Sequence, residues 1–150
     1  ISLVERIDVG SVNLNEISLD SEFEFDVTLE NDMINASGID KVTAKLDSTG
    51  LVSKKFTIDQ SNIRILNKPA NKAITVNTEK ITDVTLIGPK DVMSKLTNID
   101  VVAEYSMQAH SIENGNVEVQ ATIYAQGYDD VWYSGDVKYI IFNVSDPDIP

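Results

Sequence analysis

The chain has 150 residues, 42% of them hydrophobic, no cysteine, and a formal net charge of −12 from 12 Lys plus Arg against 24 Asp plus Glu. The length suits one ordinary domain or two small ones, and the apolar fraction suffices for a packed core, which excludes disorder of the whole chain. The charge speaks against nucleic acid, which needs clustered cations, and against direct docking on anionic lipid; the missing cysteine removes disulfides, thiolate catalysis and thiolate metal sites.

From the N-terminus onward the main signal is alternation with period two, which places one set of side chains on a core face. A short strand fits Val12–Ile17. The clearest strand runs from Glu22 to Glu30, where Phe23, Phe25, Val27 and Leu29 alternate with acidic and polar residues. Val42, Ala44 and Leu46 alternate with Lys41, Thr43 and Lys45, and further short strands fit Lys54–Ile58, Ile63–Leu66, Ile74–Val76 and Val84–Ile87. One helix of about two turns is expected over Gly88–Leu96, with Pro89 near its first turn, Asp91 favoured by the dipole, and Val92, Met93 and Leu96 as an apolar stripe. Strands follow at Val101–Tyr105 and, as one continuous run, Val117–Ala125; the last, Val137–Val144, is apolar on both faces for part of its length and predicts a central, doubly covered position. Phe23, Phe25, Phe56 and Phe142 are expected in the core. Loops are marked by Ser48-Thr49-Gly50, Asn71-Lys72, Asn114-Gly115 and Ser134-Gly135-Asp136.

The two halves share weak self-similarity. Arg6-Ile7-Asp8-Val9 is similar to Asn98-Ile99-Asp100-Val101, Glu22–Leu29 to Glu118–Ala125, and Ser37-Gly38 to Ser134-Gly135. Two organisations fit: one whole repeat preceded by the back half of another, or a single larger sheet domain. The first places a partial or variant β unit at residues 1–68, a whole unit at 69–145, and a tail or linker at 146–150.

A strand ending in Gly88-Pro89, then Lys90-Asp91-Val92 in a short helix, then Leu96-Thr97-Asn98-Ile99-Asp100-Val101-Val102-Ala103 resembles the YbbR-like domain of bacterial extracytoplasmic proteins. The likeness covers Ile74–Val144 well and Ile7–Ile58 more loosely. Glu104-Tyr105-Ser106 departs from the Asp-Leu-Ser that the family often carries there. The resemblance implies a small β-rich domain used in tandem, in a protein tethered by one membrane helix and found on the outer side of the membrane. In Gram-positive bacteria such proteins include regulators of a membrane diadenylate cyclase that makes cyclic di-AMP. The family offers no catalytic residues to carry over; Gly88 and Pro89 are its structural motif.

The residues themselves offer few candidates for chemistry. His110, the only histidine, lies in an expected loop between Ala109 and Ser111 and reads as an exposed loop residue rather than a catalytic base. Tyr128-Asp129-Asp130-Val131-Trp132-Tyr133 sets aromatic rings, the only tryptophan among them, beside two carboxylates. Such a segment grips a protein or stacks on a sugar; the plainer reading packs Trp132 over a sheet end with the aspartates in water. The carboxylates Asp129, Asp130 and Asp136, and Asp146 with Asp148, lack the calcium-loop spacing. Lys54-Lys55 reads as a solvated strand face. Asn35-Ala36-Ser37 and Asn143-Val144-Ser145 match the glycosylation pattern, which recurs by chance. No run of about 18 apolar residues exists, so this segment inserts into no membrane by itself. Beginning at Ile1 with no signal pattern, it reads as a piece of a longer protein whose anchor lies elsewhere.

The expected fold class is thus all-β with one short helix, an elongated tandem of small β-sheet units. The expected function is a non-catalytic, extracytoplasmic interaction or regulatory module with no cofactor and no metal. The expected partner is a protein, either a membrane cyclase or another copy; the alternative is a cell-surface adhesin or carbohydrate-binding module that takes a glycan on Tyr128, Trp132 and Tyr133.

Overall fold

The computed structural model of the chain describes residues 6–108 and 113–148. The fold is β-dominated, with eleven strands and one short helix among the described residues. Strand β1 (Glu22–Asp26) pairs antiparallel with β2 (Lys41–Lys45) in a two-stranded ribbon. The remaining strands are β3 (Leu51–Asp59), β4 (Ile63–Leu66), β5 (Ala73–Val76), β6 (Lys80–Pro89), β7 (Val101–Ser106), β8 (Gly115–Gln120), β9 (Thr122–Ala125), β10 (Trp132–Tyr133) and β11 (Tyr139–Ser145). They form three sheets of order β10-β6-β3, β5-β11-β8 and β4-β7-β9. Only β4 with β7 is parallel among these pairs.

The three sheets share one core. Phe56, Ile58, Val84, Leu86, Val101, Ala103, Ile140 and Phe142 are buried in a single cluster. Each comes from the inward phase of its strand, and on β7 and at the end of β6 consecutive residues, Val101–Ala103 and Leu86–Gly88, are all buried. Strand β6 breaks that phase once. Phe56 pairs with Val84 but Ile58 with Ile81, so Thr82 and Asp83 together oppose Thr57. This is a bulge on β6, and Asp83 takes its left-handed conformation at φ 53. The extra residue lets Ile81 and Val84, three apart, face the same core.

The helix is shorter than expected. Only Lys90–Met93, α1, is helical, and Ser94 already closes the turn onto Lys90. Met93 and Leu96 are buried all the same, so the stripe is met by one turn and the bend that follows it. The expected strand at Val12–Ile17 is a 3₁₀ turn, Leu14–Glu16. The run Val117–Ala125 divides at Ala121: β8 pairs with β11, whereas β9 pairs with β7. Strand β11 is central as expected, but its outer face stays open, with Tyr139 and Ile141 exposed.

All fully buried hydrophobic side chains among the described residues lie from Phe56 to Val144. Phe56 and Phe142 are core as expected; Phe23 and Phe25 are only half-buried, and neither joins the core cluster. A boundary between residues 68 and 69 would separate β3 and β4 from their partners β6 and β7. Among the described residues no helix is long and apolar enough to cross a membrane.

Gly88 is buried where β6 meets α1. A Cβ there would lie 2.8 Å from Val131 Cγ2, 3.2 Å from the Asp130 carbonyl oxygen and 3.3 Å from Met93 Sδ. Gly88→Ala is expected to destabilise the fold by about 1–3 kcal/mol through overpacking. Urea denaturation checks this: the midpoint falls while the slope stays unchanged.

Candidate functional site

The aromatic segment is built from a turn and a two-residue strand. Gly127, at φ 82, supplies the turn after β9, and the Tyr128 N–H closes it onto the Ala125 carbonyl at 3.2 Å. Asp129 and Asp130 are exposed, Val131 is buried against Gly88, and Trp132 and Tyr133 pair with Ile87 and Leu86 of β6. Successive strand residues face opposite ways, so Trp132 and Tyr133 diverge.

Tyr133 turns inward and is buried, and its hydroxyl donates to the Asp136 carbonyl. Burial first, and then the Asp136 charge, hold its hydroxyl pKa above the usual tyrosine value. Tyr128 is half-buried and packs on the core. Trp132, also half-buried, donates its indole N–H to the Ile17 carbonyl at 3.2 Å. The Gly135 N–H adds a bond to the Asn15 carbonyl at 3.1 Å. The segment therefore clasps residues 15–17 onto the sheet edge. The Trp132 and Tyr133 rings thus lie on opposite faces of β10.

Gly88 and Pro89 act together at the neighbouring corner. The Lys90 N–H, just past Pro89, donates to the Gly50 carbonyl at 3.0 Å and ties α1 to the start of β3. Lys54 is more than a solvated residue. Its ammonium donates to the Leu96 carbonyl at 2.8 Å and lies 5.0 Å from the centre of the Phe56 ring. Lys55 pairs with Asp83 at 3.4 Å on the surface. The Asn35 side chain is held within its own loop by Ile39, Ser37 and Gly38, and that of Asn143 bonds Asn116 on β8.

Two polar arrangements had no signal in the sequence. On the outer face of β4-β7-β9, the Tyr124 hydroxyl donates to Glu104 at 2.8 Å, while Arg64 donates to Gln126 at 2.7 Å. Burial first, and then Glu104, raise the Tyr124 pKa. At one end of β5-β11-β8, Lys72 donates to Asp146 at 2.6 Å and to Asn114 at 2.8 Å, and Asn114 also donates to Asp146 at 2.9 Å. Each of these residues adjoins one strand of that sheet, so the contact ties the three strand ends together. Residue 146, expected as tail, belongs to it.

His110 lies outside the described residues. Among the described residues no three His, Cys, Asp or Glu side chains gather closely enough to hold a metal ion. One shallow depression, of about 230 Å³, is lined by Arg6, Ile7, Asp8, Thr28, Leu29, Glu30 and Met33. No family model, curated protein or solved structure matches the chain.

Trp132→Phe keeps the ring and loses the bond to Ile17. The variant is expected to raise amide exchange over Asn13–Ile17 while exchange in β6 and β11 stays as in the parent, which hydrogen–deuterium exchange measures residue by residue. Hydrogen bonds from Lys72 and then Asn114, with the Lys72 charge, hold the Asp146 carboxyl below its ordinary 3.8. A lowered carboxyl pKa favours the folded contact above the unfolded value and loses it as pH falls through the folded value. Titration followed by carboxyl-carbon NMR is expected to place the Asp146 midpoint below 3.8. Lys72→Met is expected to move that midpoint up.

Proposed function

We propose that the chain is a non-catalytic, extracytoplasmic binding module of the YbbR-like kind that regulates a membrane protein by direct contact. The observation that carries this reading is the β1–β2 ribbon. It presents a half-buried apolar face from Phe23, Phe25 and Val42, none of which joins the shared core cluster. A surface of that kind loses water favourably against a protein partner. Several of the aromatic and polar side chains that were candidates for ligand chemistry are, by contrast, engaged in internal contacts, Tyr133 on Asp136, Trp132 on Ile17 and Asp146 on Lys72, while Asp129 and Asp130 are exposed.

The identity of the partner rests on the resemblance around Gly88-Pro89. It points to a diadenylate cyclase in a Gram-positive membrane, with the module on the outer side and tethered by a membrane segment of its parent protein. The acidic character of the chain suits a basic partner surface.

Reconstituted cyclase from the same organism, titrated with the purified chain, tests the reading. The expected result is a saturable change in the rate of cyclic di-AMP formation, together with co-sedimentation of the chain on cyclase-containing vesicles and none on empty ones. Absence of both overturns the reading. So does saturable glycan binding that disappears in Trp132→Ala, which would assign the chain to carbohydrate recognition.

A further inference from the structure

The strand-end contact on sheet β5-β11-β8 contains the only Asn-Gly step of the chain, Asn114-Gly115. The side-chain carbonyl of an asparagine can be attacked by the backbone nitrogen of the next residue, which closes a five-membered ring. A side chain on that next residue crowds the approach, so glycine is the most permissive neighbour. Gly115 sits at φ 135, in the region that favours glycine, and a Cβ built on it would meet nothing within 4 Å. The remaining asparagines lack this freedom. Asn116 and Asn143 precede valine, and Asn77 precedes threonine, all β-branched.

The structure also places the groups that such a reaction moves. Gly115 is the first residue of β8, and its pairing with Val144 is the last of the β8–β11 ladder. The Ala121 N–H bonds the Lys138 carbonyl, and antiparallel alternation from that pair puts the Gly115 N–H on the Val144 carbonyl. A terminal ladder bond frays at little cost, which frees the nitrogen. The Asn114 side chain is exposed. Its carbonyl oxygen accepts from the Lys72 ammonium at 2.8 Å, and its amide nitrogen donates to Asp146 at 2.9 Å. The cation lies against the oxygen on which negative charge develops during attack.

We propose that Asn114 is a site of spontaneous deamidation, and that the product rearranges the contact joining the ends of β5, β8 and β11. The Gly115 N–H gives its proton to solvent base, and the nitrogen electron pair forms a bond to Asn114 Cγ. The bond from Cγ to Nδ2 breaks, and ammonia leaves with a proton taken from water. Water then opens the ring at either carbonyl. Opening at Cγ gives aspartate, and opening at the main-chain carbonyl gives isoaspartate. One water is consumed and one ammonia released, with no change of oxidation state. Either product sets a carboxylate where the amide stood. Asp146 loses its Asn114 donor and gains a like charge, with the Lys72 ammonium shared between the two. Isoaspartate also routes the main chain through the side-chain carbon, and the added atom takes Gly115 out of register with Val144.

The full chain, held in mildly alkaline buffer and sampled over time, is digested at mildly acidic pH and mapped by mass spectrometry. The expected result is conversion at Asn114 ahead of every other asparagine, at a rate proportional to hydroxide concentration, with aspartate and isoaspartate both formed. Retention of Asn114 while another asparagine converts overturns the proposal, as does conversion no faster than that of Asn116. The effect on the contact is read by carboxyl-carbon NMR on Asn114→Asp. Its Asp146 midpoint is expected to lie above that of the parent chain, because a donor is lost and a like charge arrives. An unchanged or lower midpoint overturns the rearrangement. The isoaspartate form, separated from the aged parent chain by anion exchange, supplies a second measurement that needs no variant to fold. Its amide exchange is expected to rise over Gly115–Val117 while that of β3 and β6 stays as in the parent. Parent-like exchange over Gly115–Val117 overturns the loss of register.

Discussion

The fold depends on one constraint: three sheets must turn their inward faces to a common set of side chains around Phe56, Leu86 and Phe142. Among the described residues no sheet has more than three strands, and sheets this small need packing on one face to be stable. Local irregularities follow from that shared demand. The bulge at Thr82–Asp83 brings Ile81 and Val84 into one phase, and Gly88 lets Val131 approach the end of β6. Ala121 lets one chain pass from the β8 edge of one sheet to the β9 edge of another. Each change serves contact between sheets rather than pairing within one.

What could be read in the sequence was what a single strand reveals. Phe23–Val27, Val42–Leu46 and Val117–Ile123 alternate cleanly, and each is strand or adjoins one. Alternation states that a strand has an apolar face but not what covers it. Phe25 and Phe142 both sit on the apolar phase of their strands and looked equally core-like, yet of the two only Phe142 joins the buried cluster. The break at Ala121 was hidden for a related reason. Period two continues unbroken through it, so the transfer between sheets leaves no mark in the pattern. The parallel pairing of β4 with β7 spans two intervening strands and α1, and no local signal sets such a register.

The aromatic segment shows how a binding motif and a structural clasp look alike in one dimension. Trp132, Tyr133 and the flanking aspartates have the composition of a recognition surface. What the structure adds is the Ile17 carbonyl, which lies 115 positions away in sequence and accepts the indole bond. Composition could not show that contact, because the partner of the Trp132 N–H is a backbone group that every residue possesses.

Stability is unevenly distributed among the strand pairs. An isolated two-stranded ribbon is marginal in water, whereas the β8–β11 pair is secured by β5 and by the shared core. Among the described residues the β1–β2 ribbon has neither. Its local supports are the Phe25 ring against Gly10, where a Cβ would come within 2.8 Å, and surface ion pairs from Lys41 to Glu24 and Asp26. Exposed ion pairs of this kind contribute little. The clasp at Trp132 and Gly135 holds the preceding segment, not the strands themselves. The ribbon therefore holds together through its own ladder and the Phe25–Gly10 contact, not through the Phe56–Phe142 core, and its opening need not disturb that core.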